Sequence, residues 1–570
     1  MIRRNNMKSG KLRKIKKTNT RYIFVLGGVI SGLGKGVTSG SIAAILKEMG
    51  YNKITIKKLD PYLNIDPGTM NPVEHGEVFV TDDGAETDLD LGYYERFGEL
   101  KVGRNNSVSS GKLLFNLLNA ERKGDFLGKT VQLIPHFTNS IRDFIEKDSN
   151  KYDFIICEIG GSAGDYAASY YFETIRRMIL DYTKKKIMIC CLTYIIYYKA
   201  SKELKTKPTQ VAVKQLMTSG LQPDLIFART EYKLDDKIKR KIALYTNIPT
   251  ENIIETLDVK SIYELPLQFR KEGLVNCLED HFRLKLTKKP RFTRWINLNK
   301  KIKNTHKKVS IAMIGKYVEL EDAYYSVLEA LKHSGWEYRC DVEIVWINAR
   351  KINDMYKILK NIDGVVIPGG FGTSGIEEII KGIEYCRINK IPMMGICLGM
   401  QLSVIEFARN VLGIKNASSS EFGTEGDTFI VDIMSEWIDE QGLKQIIEKN
   451  GNLGGTMRLG EYVAKLNKDS LAHKLYKKLI IKERHRHRYE VNINFKKQFE
   501  ENGMIFSGLS LDGLLPEIIE IPKHPFFIGG QFHPEFKSTP FNPRPMFNGL
   551  IKAALKKRKK KSKRVKKKVS

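Results

Sequence analysis

At 570 residues the chain exceeds what one hydrophobic core supports and is long enough for two large or three ordinary domains. Hydrophobic residues make up 42% and aromatics 10%, the balance of a globular protein, and no apolar run reaches the roughly eighteen residues of a membrane span. The formal net charge of +30 gathers at the ends, with eight Lys or Arg in residues 1–20, eleven in 556–570 and no acid in either, which argues for two basic tails rather than a nucleic-acid-binding body.

Seven cysteines, an odd number without regular spacing or a CxxC pair, suit reduced thiols in the cytoplasm better than a disulfide framework or a cysteine metal site. The basic N-terminus leads into no apolar segment of signal-peptide type.

In chain order, Tyr22–Leu26 is predicted as a strand, Ser39–Met49 as a helix and Lys53–Ile56 as the next strand. Further strands are predicted at Tyr152–Glu158, Lys186–Cys190 and Asp224–Phe227. Strand and amphipathic helix alternate as in a parallel α/β sheet. Residues 284–308 are basic and poor in aliphatics, the composition of a linker. A second α/β set opens with Val309–Met313 and continues through Val342–Trp346, Gly364–Ile367 and Met393–Gly395. The expected fold class is therefore α/β, with two domains of mostly parallel sheet flanked by helices. A basic disordered tail is expected over 1–20, a first domain over 21–283, a linker over 284–308, a second domain over 309–555 and a basic tail over 556–570.

Between the first strand and helix runs Gly27-Gly28-Val29-Ile30-Ser31-Gly32-Leu33-Gly34-Lys35-Gly36. Small residues let backbone N–H groups face a phosphate, the helix N-terminus favours anions, and Lys35 reaches terminal phosphates. The loop departs from G-x-x-x-x-G-K-[ST] at Val29 and at Gly36, which has no hydroxyl for magnesium. Carboxylates from elsewhere are then needed. Asp90, in an acid-rich segment, and Glu158, at the carboxyl end of a parallel strand, are the candidates.

In the second half, Gly395-Ile396-Cys397-Leu398-Gly399 follows an apolar strand and precedes a helical stretch, the form of a nucleophile elbow with cysteine in place of serine. The helix N-terminus behind the sulfur favours a thiolate. In Gln531-Phe532-His533-Pro534-Glu535, His533 can take the thiol proton and Glu535 can hold the imidazole tautomer. The turn Pro368-Gly369-Gly370-Phe371-Gly372 can aim N–H groups at an oxyanion. Together these resemble the class I glutamine amidotransferase domain over about 309–552. The resemblance implies that Cys397 forms a glutamyl thioester and releases ammonia. It also implies glutamine binding by Gly370, Leu398, Gly399, Met400, Gln401, Glu421 and Arg488, the acid and the base pairing with the α-amino and α-carboxylate groups.

Longer segments narrow the choice: Lys58-Leu-Asp-Pro-Tyr-Leu-Asn-Ile-Asp-Pro-Gly-Thr-Met70, residues 75–92, Lys205-Thr-Lys-Pro-Thr-Gln210, residues 454–460 and Arg484-His-Arg-His-Arg-Tyr-Glu490. These resemble the CTP synthase family from about Tyr22 to Leu555. The resemblance implies ATP-dependent amination of UTP to CTP with ammonia from glutamine. It places ATP on Ser31, Gly32, Leu33, Gly34, Lys35, Gly36, Lys58 and Asp90, and Mg²⁺ on Asp90 and Glu158. The pyrimidine nucleotide falls to Ser31, Asp165, Lys205, Thr206, Lys207, Pro208, Thr209, Gln210 and Lys241. An ammonia tunnel would pass Pro72, His75 and Val78. GTP activation, CTP product inhibition, a homotetramer and a cytoplasmic location, with a nuclear fraction permitted by the basic ends, are implied too. No nucleic-acid partner is expected beyond non-specific tail contacts. Two departures stand out: Gly164-Asp165-Tyr166-Ala167 where the family has Gly-Asp-Ile-Glu, and a replaced basic residue before Leu453 on the GTP side. The alternatives are another amidotransferase-coupled ATP-dependent ligase and a polyanion-binding scaffold with a vestigial catalytic fold.

Overall fold

The computed structural model describes residues 19–30, 32–70, 75–286, 288–316, 318, 320–349, 355–433, 436–438, 444–446 and 457–569. Two compact units divide the chain, Met1–Thr69 with Asp90–Asn299, and Met70–Leu89 with Lys300–Ser570. Residues 70–89 therefore belong to the second unit although sequence places them inside the first half.

The first unit is built on strands β1 (Arg21–Gly27), β2 (Ile54–Asp60), β3 (Ser107–Ser109), β4 (Phe154–Ile159), β5 (Ile187–Tyr198), β6 (Glu203–Lys205), β7 (Leu225–Thr230) and β8 (Ile253–Leu257). Their order is β8-β7-β5-β1-β4-β2-β3, all parallel, with β6 antiparallel on β5. β2 and β4 are buried along their whole length, as strands covered by helices on both faces must be. Strand order reverses at β1, and the carboxyl ends flanking such a reversal form the ligand crevice of open α/β sheets. Gly27, Asp60 and Ile159 end the strands there. Helix α1 (Lys35–Glu48) starts directly off that crevice and buries a continuous run from Gly36 to Leu46.

The second unit carries β9 (Lys307–Gly315), β10 (Cys340–Asn348), β11 (Gly364–Ile367), β12 (Met393–Ile396), β13 (Arg458–Leu466), β14 (Ile480–His487), β15 (Ile505–Ser510), β16 (Pro516–Glu520) and β17 (Phe527–Gly530). The order is β10-β9-β11-β12-β17-β16-β15-β13-β14. It is parallel through the first five strands and antiparallel through the last four. Successive residues of β9 divide between two cores, Ile311 and Met313 in one, Ala312 and Ile314 in the other, so both faces are buried. The adjacent parallel strands β11, β12 and β17 run directly into Pro368, Cys397 and Gln531.

Residues 284–308, expected as a linker, contain a helix at Thr293–Lys303 whose Trp295 and Leu298 are buried. The expected C-terminal tail continues a helix, Pro545–Val569. Its first turns bury Met546, Phe547, Leu550, Ile551 and Ala554, and Lys557 then donates to the Ile362 carbonyl at 2.6 Å. Lysine and arginine are good helix formers and their charge suits a helix C-terminus, so an anchored helix extends into the basic run. Among the described residues no helix is long and apolar enough to cross a membrane.

Candidate active sites

In the second unit the elbow is enforced by backbone crowding. Cys397 sits at φ 51°, ψ −104°, ahead of helix α4 (Leu398–Asn410). A Cβ on Gly399 would lie 2.3 Å from the Ile367 carbonyl oxygen, and one on Gly395 would lie 2.6 Å from the Gly399 carbonyl carbon. Only glycine lets β11, β12 and α4 approach this closely. The Cys397 N–H donates to the Gly530 carbonyl at 2.7 Å, which ties the nucleophile's backbone to β17.

Three residues past β17, His533 Nδ1 lies 2.7 Å from Glu535 Oε1, and the carboxylate side chain is almost wholly buried. Burial works against a charged imidazole, but Glu535 and Cys397 outweigh it and raise His533 to about 10. A Cβ on Gly369 would stand 2.7 Å from the His533 ring and 3.6 Å from the Cys397 Cβ, so nucleophile, base and glycine turn meet at one point. Cys397 stands at the N-cap of α4, where the helix's first N–H groups and the positive end of its dipole lie.

The glycine turn is itself held. Lys316 Nζ donates to the carbonyls of Phe371, at 3.2 Å, and Gly372, while the Gly372 N–H donates to Glu421 Oε1 at 2.8 Å. Burial pushes the Glu421 carboxyl up, and the Gly372 N–H, Lys316 and Arg488 partly offset it. Gln401 is buried with its side-chain nitrogen 2.9 Å from the Tyr489 carbonyl. Leu398 and Met400 are buried side chains, and the Met400 N–H bonds the Cys397 carbonyl at 3.0 Å. Residues 75–89 bear on the same unit: Arg484 pairs with Asp82 at 2.6 Å and Arg486 with Glu86 at 2.7 Å. His75 is exposed, Val78 is buried on the Val78–Val80 strand, and Pro72 lies outside the described residues.

In the first unit the loop ahead of α1 takes left-handed φ angles at Gly32 (71°) and Gly34 (93°), and Ser31 lies outside the described residues. Lys35 Nζ donates to the Gly161 carbonyl at 2.6 Å, just past β4. Burial, and then the positive charge of Lys58, lower the Lys35 pKa. A Cβ on Gly36 would fall 2.1 Å from Asp90 Oδ1, so the hydroxyl side chain of the usual motif has no room here. The space is filled by a carboxylate instead.

Asp90 opens helix α2 (Asp90–Gly98) and is bridged to Glu158 by Lys58, whose Nζ also contacts Asp90 and lies 2.9 Å from Glu158 Oε1 and 3.6 Å from Asp60. Tyr94, one turn along α2, donates to Glu158 Oε2 at 2.6 Å. Burial disfavours charge on Lys58, but the three carboxylates outweigh it and raise its pKa well above the ordinary value. Two ammonium groups, Lys58 and the neighbouring Lys35, face three acids, which leaves acidic groups in excess. Among the described residues no cluster of three or more His, Cys, Asp or Glu forms a self-sufficient metal site. The donor set fits Mg²⁺, which takes one or two carboxylates and completes its octahedron with phosphate oxygens and water.

The family model described as CTP synthase N-terminus matches residues 21–284, and that for glutamine amidotransferase class-I matches 319–553. A CTP synthase of Pelagibacter ubique is 53% identical over 536 residues, 94% of this chain and 99% of its own length. One of Zymomonas mobilis is 47% identical over 540 residues, again 94% and 99%. The chain belongs to the CTP synthase family. A solved Trypanosoma brucei CTPS glutaminase domain with bound acivicin is 34% identical over 44% of this chain and 94% of that chain, with a TM-score of 0.39.

The nucleotide-facing set expected from the CTP synthase resemblance divides in two. Lys205, Lys207 and Lys241 are exposed; Lys205 pairs with Glu203, and Lys205 and then Lys241 help hold the Glu203 carboxyl down. Gln210 donates to Thr206 Oγ1 at 3.0 Å across the first turn of helix α3 (Lys207–Thr218), where Pro208 also sits. Thr209 is fully buried with its hydroxyl 3.0 Å from Thr193, an internal bond. Asp165 accepts from the Ala167 N–H at 3.0 Å and caps a short helical turn.

Three contributors escaped the sequence reading. Tyr94 could have been found, because it stands four residues after Asp90 and so shares its helix face. Arg229, which donates to the Leu33 carbonyl at 3.0 Å, and Lys316, 55 residues from the turn it clamps, give no local signal.

Proposed function

We propose that this chain makes CTP from UTP by ATP-dependent amination, with glutamine as the nitrogen source. It acts as a carbon–nitrogen ligase of the CTP synthase family. Identity of 53% across 94% of the chain, with the Cys397 elbow and the His533–Glu535 pair intact, carries the reading.

In the glutaminase half His533 accepts the Cys397 proton and the thiolate attacks the side-chain amide carbon of glutamine. The N–H groups of Gly370 and Leu398 receive the developing oxyanion. His533 returns its proton to the departing ammonia, then activates the water that splits the thioester to glutamate. Gly399, Met400 and Gln401 shape the pocket, and Glu421 and Arg488 take the amino acid's charged ends. In the synthetase half the terminal phosphoryl group of ATP passes to uracil O4. Ammonia then adds at C4 and phosphate leaves, giving CTP.

The loop around Ser31 to Gly36 cradles the ATP phosphates, with Lys35 and Lys58 meeting their charge. Mg²⁺, held by Asp90 and Glu158, would neutralise the triphosphate as phosphoryl transfer proceeds. Asp165, Lys205 to Gln210 and Lys241 form the pyrimidine-nucleotide set. The CTP synthase resemblance assigns the ammonia route to Pro72, His75 and Val78. GTP activation, CTP product inhibition, homotetramer assembly and a cytoplasmic location complete the proposal. With exposed Tyr166-Ala167 where the family carries Ile-Glu, the carboxylate is missing at Ala167 and we expect CTP inhibition to be weakened.

The test is a Cys397→Ala variant assayed with two nitrogen sources. CTP formation from glutamine is lost and that from ammonium chloride is retained. Loss of both would overturn the division of labour.

A further inference from the structure

Beside the Cys397 sulfur lies a side chain that the glutaminase chemistry leaves unassigned. Gln531 is fully buried, and its Nε2 is 3.7 Å from Cys397 Sγ, within reach of an N–H···S hydrogen bond. Amide nitrogen and oxygen must be told apart by their partners. Here the partners decide. The Tyr489 carbonyl can only accept, so the Gln401 group 2.9 Å from it is the NH₂. The same nitrogen lies 3.3 Å from Gln531, whose facing atom is therefore Oε1. The Gln531 NH₂ is thereby turned to the sulfur. Its backbone is fixed as well, since the Gln531 N–H donates to the Glu517 carbonyl on β16 at 2.9 Å.

A second group meets the sulfur. The Arg486 carbonyl, 3.8 Å from Sγ, is an acceptor and so favours the protonated thiol. Without a donor, a nearly buried sulfur in this setting pays for ionisation with lost hydration. We propose that Gln531, aimed by Gln401 and the Tyr489 carbonyl, is a positioning residue that donates to the Cys397 sulfur, favouring the thiolate and fixing its line of attack. A hydrogen bond made to the charged form of a group stabilises that form, and thiolate rather than thiol is the nucleophile. The inference rests on Cys397 being the glutaminase nucleophile and adds a residue to that same site.

Other charges face the sulfur. His533, backed by Glu535, exchanges the proton with it. His485 and His487, on β14 either side of Arg486, are held well below the ordinary histidine range by burial and by Arg458, so they are neutral at neutral pH.

The experiment follows the rate of Cys397 alkylation by iodoacetamide against pH in the full-length protein. The mass of the peptide bearing Cys397 is read for wild type, Gln531→Met and Gln531→Glu. Met keeps the volume and removes the donor; Glu replaces it with an acceptor. Both variants are expected to move the rise in rate upward by about one pH unit, giving roughly tenfold slower alkylation at neutral pH, and to converge on wild type where the thiol is fully ionised. Glutamine hydrolysis falls in the same pH-dependent manner. A Gln531→Met profile that superimposes on wild type, or is depressed by one factor at every pH, overturns the assignment. If the Glu variant fails to fold, the Met variant still decides. Cys397→Ser separates the two levels: glutamine hydrolysis surviving there refutes the nucleophile itself, whereas Cys397-dependent hydrolysis with unshifted profiles refutes Gln531 alone.

Discussion

The two catalytic regions are finished to different degrees. Around Cys397 the parts are in place: a strained elbow, a 2.7 Å His533–Glu535 bond, and a glycine turn clamped by Lys316 and Glu421. Around the phosphate loop the protein's own ammonium groups make internal bonds, Lys35 on the Gly161 carbonyl and Lys58 between Asp90 and Glu158. Covalent catalysis on a neutral amide needs preassembled groups. The phosphate-loop region is held instead by buried charge pairs.

The contrast is broken most sharply at the nucleophile. Cys397→Ala should lower glutamine-dependent CTP formation by about a thousandfold or more, in steady-state assays, while heat stability changes little. Next comes Lys58→Ala. It leaves Asp60, Asp90 and Glu158 without their buried cation, so the unfolding free energy in urea should fall by about 3–5 kcal/mol, with partial recovery in Mg²⁺. Unchanged stability would mean that the three acids do not depend on Lys58.

The third test uses pH. His533 has a folded pKa near 10, above its ordinary value near 6.5. Its contribution to stability is therefore complete below about pH 6.5 and is lost as pH rises through about 10. Stability of the glutaminase unit should decline across that window, and Glu535→Gln should flatten the decline, as read by thermal unfolding at stepped pH. The smallest effect expected is Ser109→Ala, which removes the side-chain acceptor 3.1 Å from the Lys112 N–H at a helix start, worth about 1 kcal/mol and neutral for the glutaminase reaction.

What could be read from sequence follows the range of the forces involved. The elbow was legible because its glycines, nucleophile and helix start are contiguous, and the strands ending at Ile367 and Ile396 were plain apolar runs. The short strand Ser107–Ser109 and the antiparallel strands β13 to β16 were not read. β13, Arg458-Leu-Gly-Glu-Tyr-Val-Ala-Lys-Leu466, mixes charge with apolar residues and is buried only in part. The allegiance of residues 70–89 was hidden as well. Asp82 and Glu86 look like solvated acids until Arg484 and Arg486, some four hundred residues later, are folded against them. Tyr94 was one helical turn from being found; Arg229 and Lys316 act across the fold, where no spacing rule reaches.

The most direct measurement supplies wild-type protein with ATP, UTP, Mg²⁺ and glutamine labelled with ¹⁵N at the side-chain amide, and reads the product by NMR. The account predicts CTP carrying the label on the amino group at C4. Hydrolysis of glutamine to glutamate with no labelled CTP would contradict it.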